Sequence, residues 1–237
     1  MKSVVSRCIF MPVLLIAAIC SPLVLYGADT ESDKSGAIIK YIPPKLGAPS
    51  VRTGGGTRGN SGDAIELTVL APAHTGLSSK TQPSLCWYMS KASKLKIEIS
   101  ISETKAARPL LEKTAEINTG GINCVNLKEY GVSLAVGTEY KWFVSVIGSE
   151  ENRSKDIVSG GAVIVAEPSK ELANKLSASK GIEKVALYAK EGYWYDSIEG
   201  ISNLIKQAPN DKGLREVRAS LLEQAGLKEA ADIDRKM

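Results

Sequence analysis

The chain has 237 residues, 24% charged, 43% hydrophobic and 5% aromatic, with a mean hydropathy of -0.05, which excludes a polytopic membrane protein and a chain too polar to build a core. The formal charge of +4, from 30 basic and 26 acidic residues, invites a nucleic-acid reading until the charges are located. Half of the excess lies in residues 1–28 and half in 29–62, leaving the remainder neutral with 23 charges of each sign, so no nucleic-acid partner is expected.

Lys2 and Arg7 precede an apolar run from Ile9 to Ile19, broken by Pro12. Ser21-Pro22, a second apolar stretch and Gly27-Ala28 follow. A charged start, an apolar centre and small residues at the end form a secretory signal over 1–28, which places the mature protein in the periplasm or outside the cell. The alternative is a retained anchor, in which case this segment is the only part to meet a membrane. Residues 29–62 carry Pro43, Pro44, Pro49 and a glycine run at Gly54-Gly55-Gly56. They read as a linker, extended or mobile, because they offer few large apolar side chains to offset their ordering entropy.

From 63 to 166 the pattern is of short alternating runs between turn residues. Strands are expected at 65–70, 85–89, 95–101, 111–117, 122–127, 140–147 and 158–165, with Leu95-Lys96-Ile97-Glu98-Ile99-Ser100-Ile101 the cleanest period-two stretch. Seven short strands with no helix between them predict an antiparallel β-sandwich of immunoglobulin or fibronectin type III architecture. Leu134, Thr138 and Tyr140 resemble the approach to the penultimate fibronectin type III strand, where the tyrosine hydroxyl bonds back to the corner backbone. Trp87 and Trp142 then read as core residues.

Cys86 and Cys124 are the two cysteines beyond the apolar leader, 38 residues apart on two expected strands. In an exported domain they can close a disulfide, and the alternative is a pair of buried thiols. With His74 the single histidine and no CxxC or HExxH spacing, neither a metal nor another cofactor is expected.

Past Pro168 the period becomes helical. Leu172 and Leu176 share a face; Ile182, Val185, Ala186 and Ala189 form a second stripe; Trp194, Ile198, Ile201, Leu204 and Ile205 a third; Leu214, Val217, Leu221 and Leu222 a fourth. Residues 167–237 are thus a small helical hairpin region, and the whole chain is α+β. Gly192 and Gly226 are 34 residues apart, and Val185, Tyr188 and Ser197 match Ala219, Leu222 and Ala231 at the same offset. Period and signature positions are similar to the tetratricopeptide repeat. One and a half repeats are fewer than stand alone, so the helices are expected to pack on the sheets or on a partner. Tyr193, Trp194 and Tyr195 are the contact residues for either arrangement.

Taken together, Gly47-Ala48-Pro49, Arg52 to Gly59, Leu67 to Pro72, Pro83 to Tyr88, Val136 to Trp142 and Gly192 to Asp196 resemble an uncharacterised bacterial family, domain of unknown function nine hundred and twenty-eight. Met89-Ser90 departs from its usual proline after the Trp-Tyr strand. The resemblance implies an exported protein with a sheet domain followed by helices, and supplies no catalytic residues. The leading expectation is a non-catalytic module that binds an envelope or secreted protein. The alternatives are a sandwich that stacks glycans on exposed aromatics, and a hydrolase with His74 as base and Ser78 or Ser79 as nucleophile.

Overall fold

The computed structural model describes residues 39–45, 52, 57–58, 65–115 and 119–237, all within one compact unit, Gly36–Met237. The signal read in 1–28 and the glycine run of 54–56 lie outside the described residues. The fold is α+β, with two sheets followed by five α-helices. In chain order the strands are β1 (Thr57–Arg58), β2 (Ile65–Val69), β3 (Gly76–Ser78), β4 (Ser84–Met89), β5 (Ile97–Glu103), β6 (Leu111–Ala115), β7 (Gly121–Asn126), β8 (Glu139–Val146) and β9 (Ile157–Val165). One sheet has the order β1-β2-β4-β7 and the other β3-β9-β8-β5-β6, and neither closes on itself.

Alternation decides which face each strand buries. Ile97, Ile99 and Ile101 of β5 are fully buried, and they pair across the ladder with Val146, Val144 and Trp142 of β8, also fully buried. Leu67 and Val69 of β2 stand opposite Met89 and Trp87 of β4 in the same way. Each such side chain contributes about 1.5–3 kcal/mol by leaving water. The sheets meet where the Val69 amide donates to Ser159 Oγ on β9, 3.0 Å away. The Tyr140 hydroxyl, at the start of β8, accepts from the Ala135 amide at 3.2 Å, which is the corner bond expected from the spacing of Leu134, Thr138 and Tyr140.

All seven expected strands are present to within two residues of their expected ends, apart from 116–118, which lie outside the described residues. The pairing is not wholly antiparallel: β3 lies parallel to β9 at the edge of its sheet. The chain leaves β2 of one sheet, crosses to the other and so arrives running the same way as β9. With only three residues, Gly76-Leu77-Ser78, β3 is too short for a periodic signal.

The helices are α1 (Lys170–Ala178), α2 (Gly181–Lys190), α3 (Trp194–Gln207), α4 (Lys212–Gln224) and α5 (Lys228–Asp234). Ser169 caps α1 by accepting from the Leu172 amide, and Asp211 caps α4 through the amides of Gly213 and Leu214. Gly192 and Gly226 end α2 and α4 in the left-handed conformation, at φ 83° and 74°. In both turns the next amide returns to a carbonyl five residues back, Tyr193 to Tyr188 and Leu227 to Leu222, so the repeat of 34 is a repeat of helix–turn geometry. Ile182, expected within the α2 stripe, is instead 41% exposed at the first turn, while Val185 and Ala189 carry the buried face. Between α4 and α5, the buried Arg218 donates twice to the buried Asp234, at 2.7 and 2.6 Å, and once to Ser202 on α3.

One hydrophobic core runs through both sheets and helices α2 to α5. A second, smaller cluster joins Leu77 of β3 to Leu172 and Leu176 of α1 and to Tyr193.

Candidate functional site

The first residues of α3 are built into the sheets. Trp194 Nε1 donates to the Leu70 carbonyl at 2.7 Å, just beyond β2. The Tyr195 hydroxyl donates to the Ala162 carbonyl on β9 at 2.8 Å and accepts from Trp142 Nε1 at 2.8 Å. Gly76 makes this possible, because a Cβ there would stand 2.8 Å from the Tyr195 ring. Asp196 then fastens the loop after β3, its two oxygens accepting from the Ser79 amide at 2.8 Å and the Ser79 hydroxyl at 2.6 Å.

Of the two arrangements expected for Tyr193, Trp194 and Tyr195, packing on the chain's own sheets or on a partner, the structure has the first: they are 6%, 0% and 2% exposed, so they offer no open surface. Successive residues of a helix start point in different directions, so three aromatics in a row fill three separate gaps between helix and sheet. Trp87 and Trp142 are likewise fully buried, leaving no tryptophan among the described residues to stack on a sugar at the surface.

Beside Asp196 lies a cleft of mixed charged and apolar lining between α2, α3 and the loop after β3. Val185, Leu204, Asp196, Glu199, Tyr188, Lys80 and Lys184 are among the residues that line its cavity of about 220 Å³. Lys80 and Glu199 also bound a more open recess of about 470 Å³ that reaches Lys128 and Asn126. The Lys80 ammonium stands 2.9 Å from Glu199 Oε2, an enclosed oxygen that meets no other donor among the described residues. Burial pushes the Asp196 carboxyl above the ordinary carboxylate range, while the Ser79 hydrogen bonds and Lys80 pull it back and Glu199 adds to the rise. Burial likewise raises the Tyr188 phenol. The cleft is thus lined by both signs of charge at the helix–strand boundary.

His74 stands elsewhere. Its Nδ1 donates to the Thr75 carbonyl at 2.9 Å, which in the neutral ring leaves Nε2 to accept from the Tyr41 hydroxyl at 3.2 Å. Ser78 donates to the Lys80 carbonyl and Ser79 to Asp196, so neither hydroxyl is hydrogen-bonded to the imidazole. Cys86 and Cys124 face each other in register on β4 and β7 and are joined as a disulfide within one sheet. Among the described residues no group of three His, Cys, Asp or Glu side chains could hold a metal ion, and no helix is long and apolar enough to cross a membrane.

Sequence reasoning missed the part played by the expected linker. Ile39 and Tyr41 are buried in the main core, and Arg52 donates to the carbonyls of Ala71, Ala225 and Gly226, tying the end of α4 to the chain beyond β2. The signal was available in Ile38-Ile39-Lys40-Tyr41-Ile42, an apolar cluster within a Pro- and Gly-rich stretch.

No curated protein is matched by this sequence. Among solved structures, a multi-domain immunophilin from Arabidopsis thaliana aligns at 10% identity over 82% of this chain and 98% of that one, with a TM-score of 0.18, too low to carry any argument. The family model described as Domain of Unknown Function (DUF928) matches residues 53–234, from within the expected linker to the last residue of α5, and the chain belongs to that family.

Proposed function

We infer that this chain is an exported, non-catalytic module that binds another protein of the envelope or extracellular space. The observation that carries the reading is the open cleft of mixed charge at Lys80, Glu199 and Lys184, set on a rigid junction of helix and strand. Charges arranged this way select a partner by complementarity and steer its approach. The scaffold beneath it is, in this reading, an immunoglobulin- or fibronectin type III-like sandwich. The strand order supports that: β2-β4-β7 against β9-β8-β5-β6 follows the A-B-E and G-F-C-C′ arrangement, and Tyr140 makes the corner bond. The matching turns at Gly192 and Gly226 support a tetratricopeptide-like origin for the helices.

Deleting residues 168–237 is a poor test, because it strips Trp194 and Tyr195 from the core that the sheets share. The cleaner experiment is cross-linked capture from envelope extract with the wild-type chain and with a folded Lys80→Glu, Lys184→Glu variant. The wild type should recover a specific protein that the variant loses. Equal recovery by both, or no specific recovery by the wild type, would overturn the reading.

A further inference from the structure

Residues 39–45 cross the helical region as an extended strip without regular secondary structure. They pass the end of α2, the first residue of α3, the end of α4 and the loop after β2. Three hydrogen bonds to the strip read its backbone. The Ile42 amide donates to the Ala189 carbonyl at 3.1 Å, at the last turn of α2. The side-chain amide of Gln224 grips the strip twice, its Oε1 accepting from the Tyr41 amide and its Nε2 donating to the Ile39 carbonyl, both at 2.8 Å. Such a clamp is indifferent to the side chains of its occupant, as a strand edge would be.

Selectivity comes from alternate residues. Ile39 and Tyr41 point inward, whereas Lys40 and Ile42 are exposed. The Tyr41 ring stands edge-on to Trp194, with centroids 4.9 Å apart, and stacks parallel to His74 at 5.9 Å, where its hydroxyl meets Nε2. Gly192 leaves room for the strip, since a Cβ there would lie 3.1 Å from the Ile42 carbonyl oxygen. An extended peptide with an aliphatic residue, any residue and then tyrosine has all that this cleft recognises. The strip that supplies this pattern includes Pro43 and Pro44 and is followed in sequence by Pro49 and, farther on, the glycine run.

We propose that the cleft between the α2–α3 turn, Gln224 and His74 is a peptide-docking site, and that residues 39–45 are a tethered occupant which an extended aliphatic-x-tyrosine segment of a partner protein displaces. This rests on the binding-module reading and gives it a partner chemistry. Tethering gives the resident strip an effective concentration on the order of millimolar, so a free peptide competes poorly until the strip is weakened.

The test is a fluorescence-anisotropy titration of full-length protein with a labelled synthetic peptide of residues 36–46. The folded Tyr41→Ala variant should bind the peptide at least about tenfold more tightly than the wild type, by removal of the tethered competitor. Adding Gln224→Ala should abolish that binding, as should replacing tyrosine by alanine in the peptide. Should Tyr41→Ala fail to fold, a protease site inserted between residues 46 and 51 of the otherwise native chain serves instead, and the cut strip should exchange with labelled peptide. Absence of saturable binding and of exchange would show the strip to be a fixed part of the core and overturn the proposal. Binding that survives Gln224→Ala would overturn the site. Wild-type dimers dissolved by the free peptide would make the occupant a second copy and overturn its assignment to a partner. Lys80 and Lys184 are intact in every arm, so failure here is separable from failure of the charged cleft.

Discussion

Trp194 and Tyr41 meet edge to face in the same core, yet they are held by different means. Trp194 opens a 14-residue helix and donates to the Leu70 carbonyl just beyond β2, and Tyr195 and Asp196 beside it make further side-chain bonds to β9 and to the loop after β3. Tyr41 belongs to a short extended strip held by a glutamine side chain, one helix-end carbonyl, the contact of its hydroxyl with His74 and the burial of two side chains. The first arrangement can be satisfied only by this helix in this register. The second reads features that any extended segment with the right two side chains offers. Two aromatics in contact can therefore differ in kind, one a permanent rivet between layers and the other a replaceable plug.

The largest expected effect comes from removing the rivet. Trp194→Ala leaves a cavity at the centre of the shared core and orphans the Leu70 carbonyl, and should cost about 3–5 kcal/mol in urea unfolding. Sheets that keep full stability in that variant would break the comparison at once, because α3 would then be an appendage.

A smaller effect sharpens the same junction. Asp196 is held above the ordinary carboxylate range by burial, so the folded state binds its proton more tightly than the unfolded state does. Its contribution to stability is therefore present at pH values below the ordinary aspartate pKa and is lost as pH rises through the raised one. Asp196→Asn can keep both contacts to Ser79 and should flatten that fall, so the wild type loses stability relative to the variant as pH rises to neutral. A difference that stays constant across the range would place the carboxyl outside the junction's energetics.

How much of this was legible follows the same division. Period-two runs such as Ile97-Glu98-Ile99-Ser100-Ile101 declare their buried face, and Leu172 with Leu176 does the same for α1, because many residues repeat one instruction. The offset of 34 between Gly192 and Gly226 was readable because a left-handed turn leaves a glycine behind it. Tyr193, Trp194 and Tyr195 were visible as contact residues, although nothing local says whether the surface they meet is the chain's own. That answer depends on Leu70, Ala162 and Leu77, which come from three distant strand regions. The lysine–glutamate cleft was illegible for the same reason, since Lys80 and Glu199 are neighbours only after β3 has crossed to the second sheet. The strip at 39–45 was hidden by averaging: over 29–62 the prolines and glycines outweigh one short apolar cluster.

The most direct measurement is native-state hydrogen exchange on the wild-type chain, with no substitution at all. The amides of Tyr41 and Ile42, bonded to Gln224 and Ala189, should exchange by local opening at least about a hundredfold faster than the amide of Ser197 in α3, which opens only when the core does. Equal protection at Tyr41, Ile42 and Ser197 would contradict the account, for it would mean that the strip leaves its cleft only when the whole molecule unfolds.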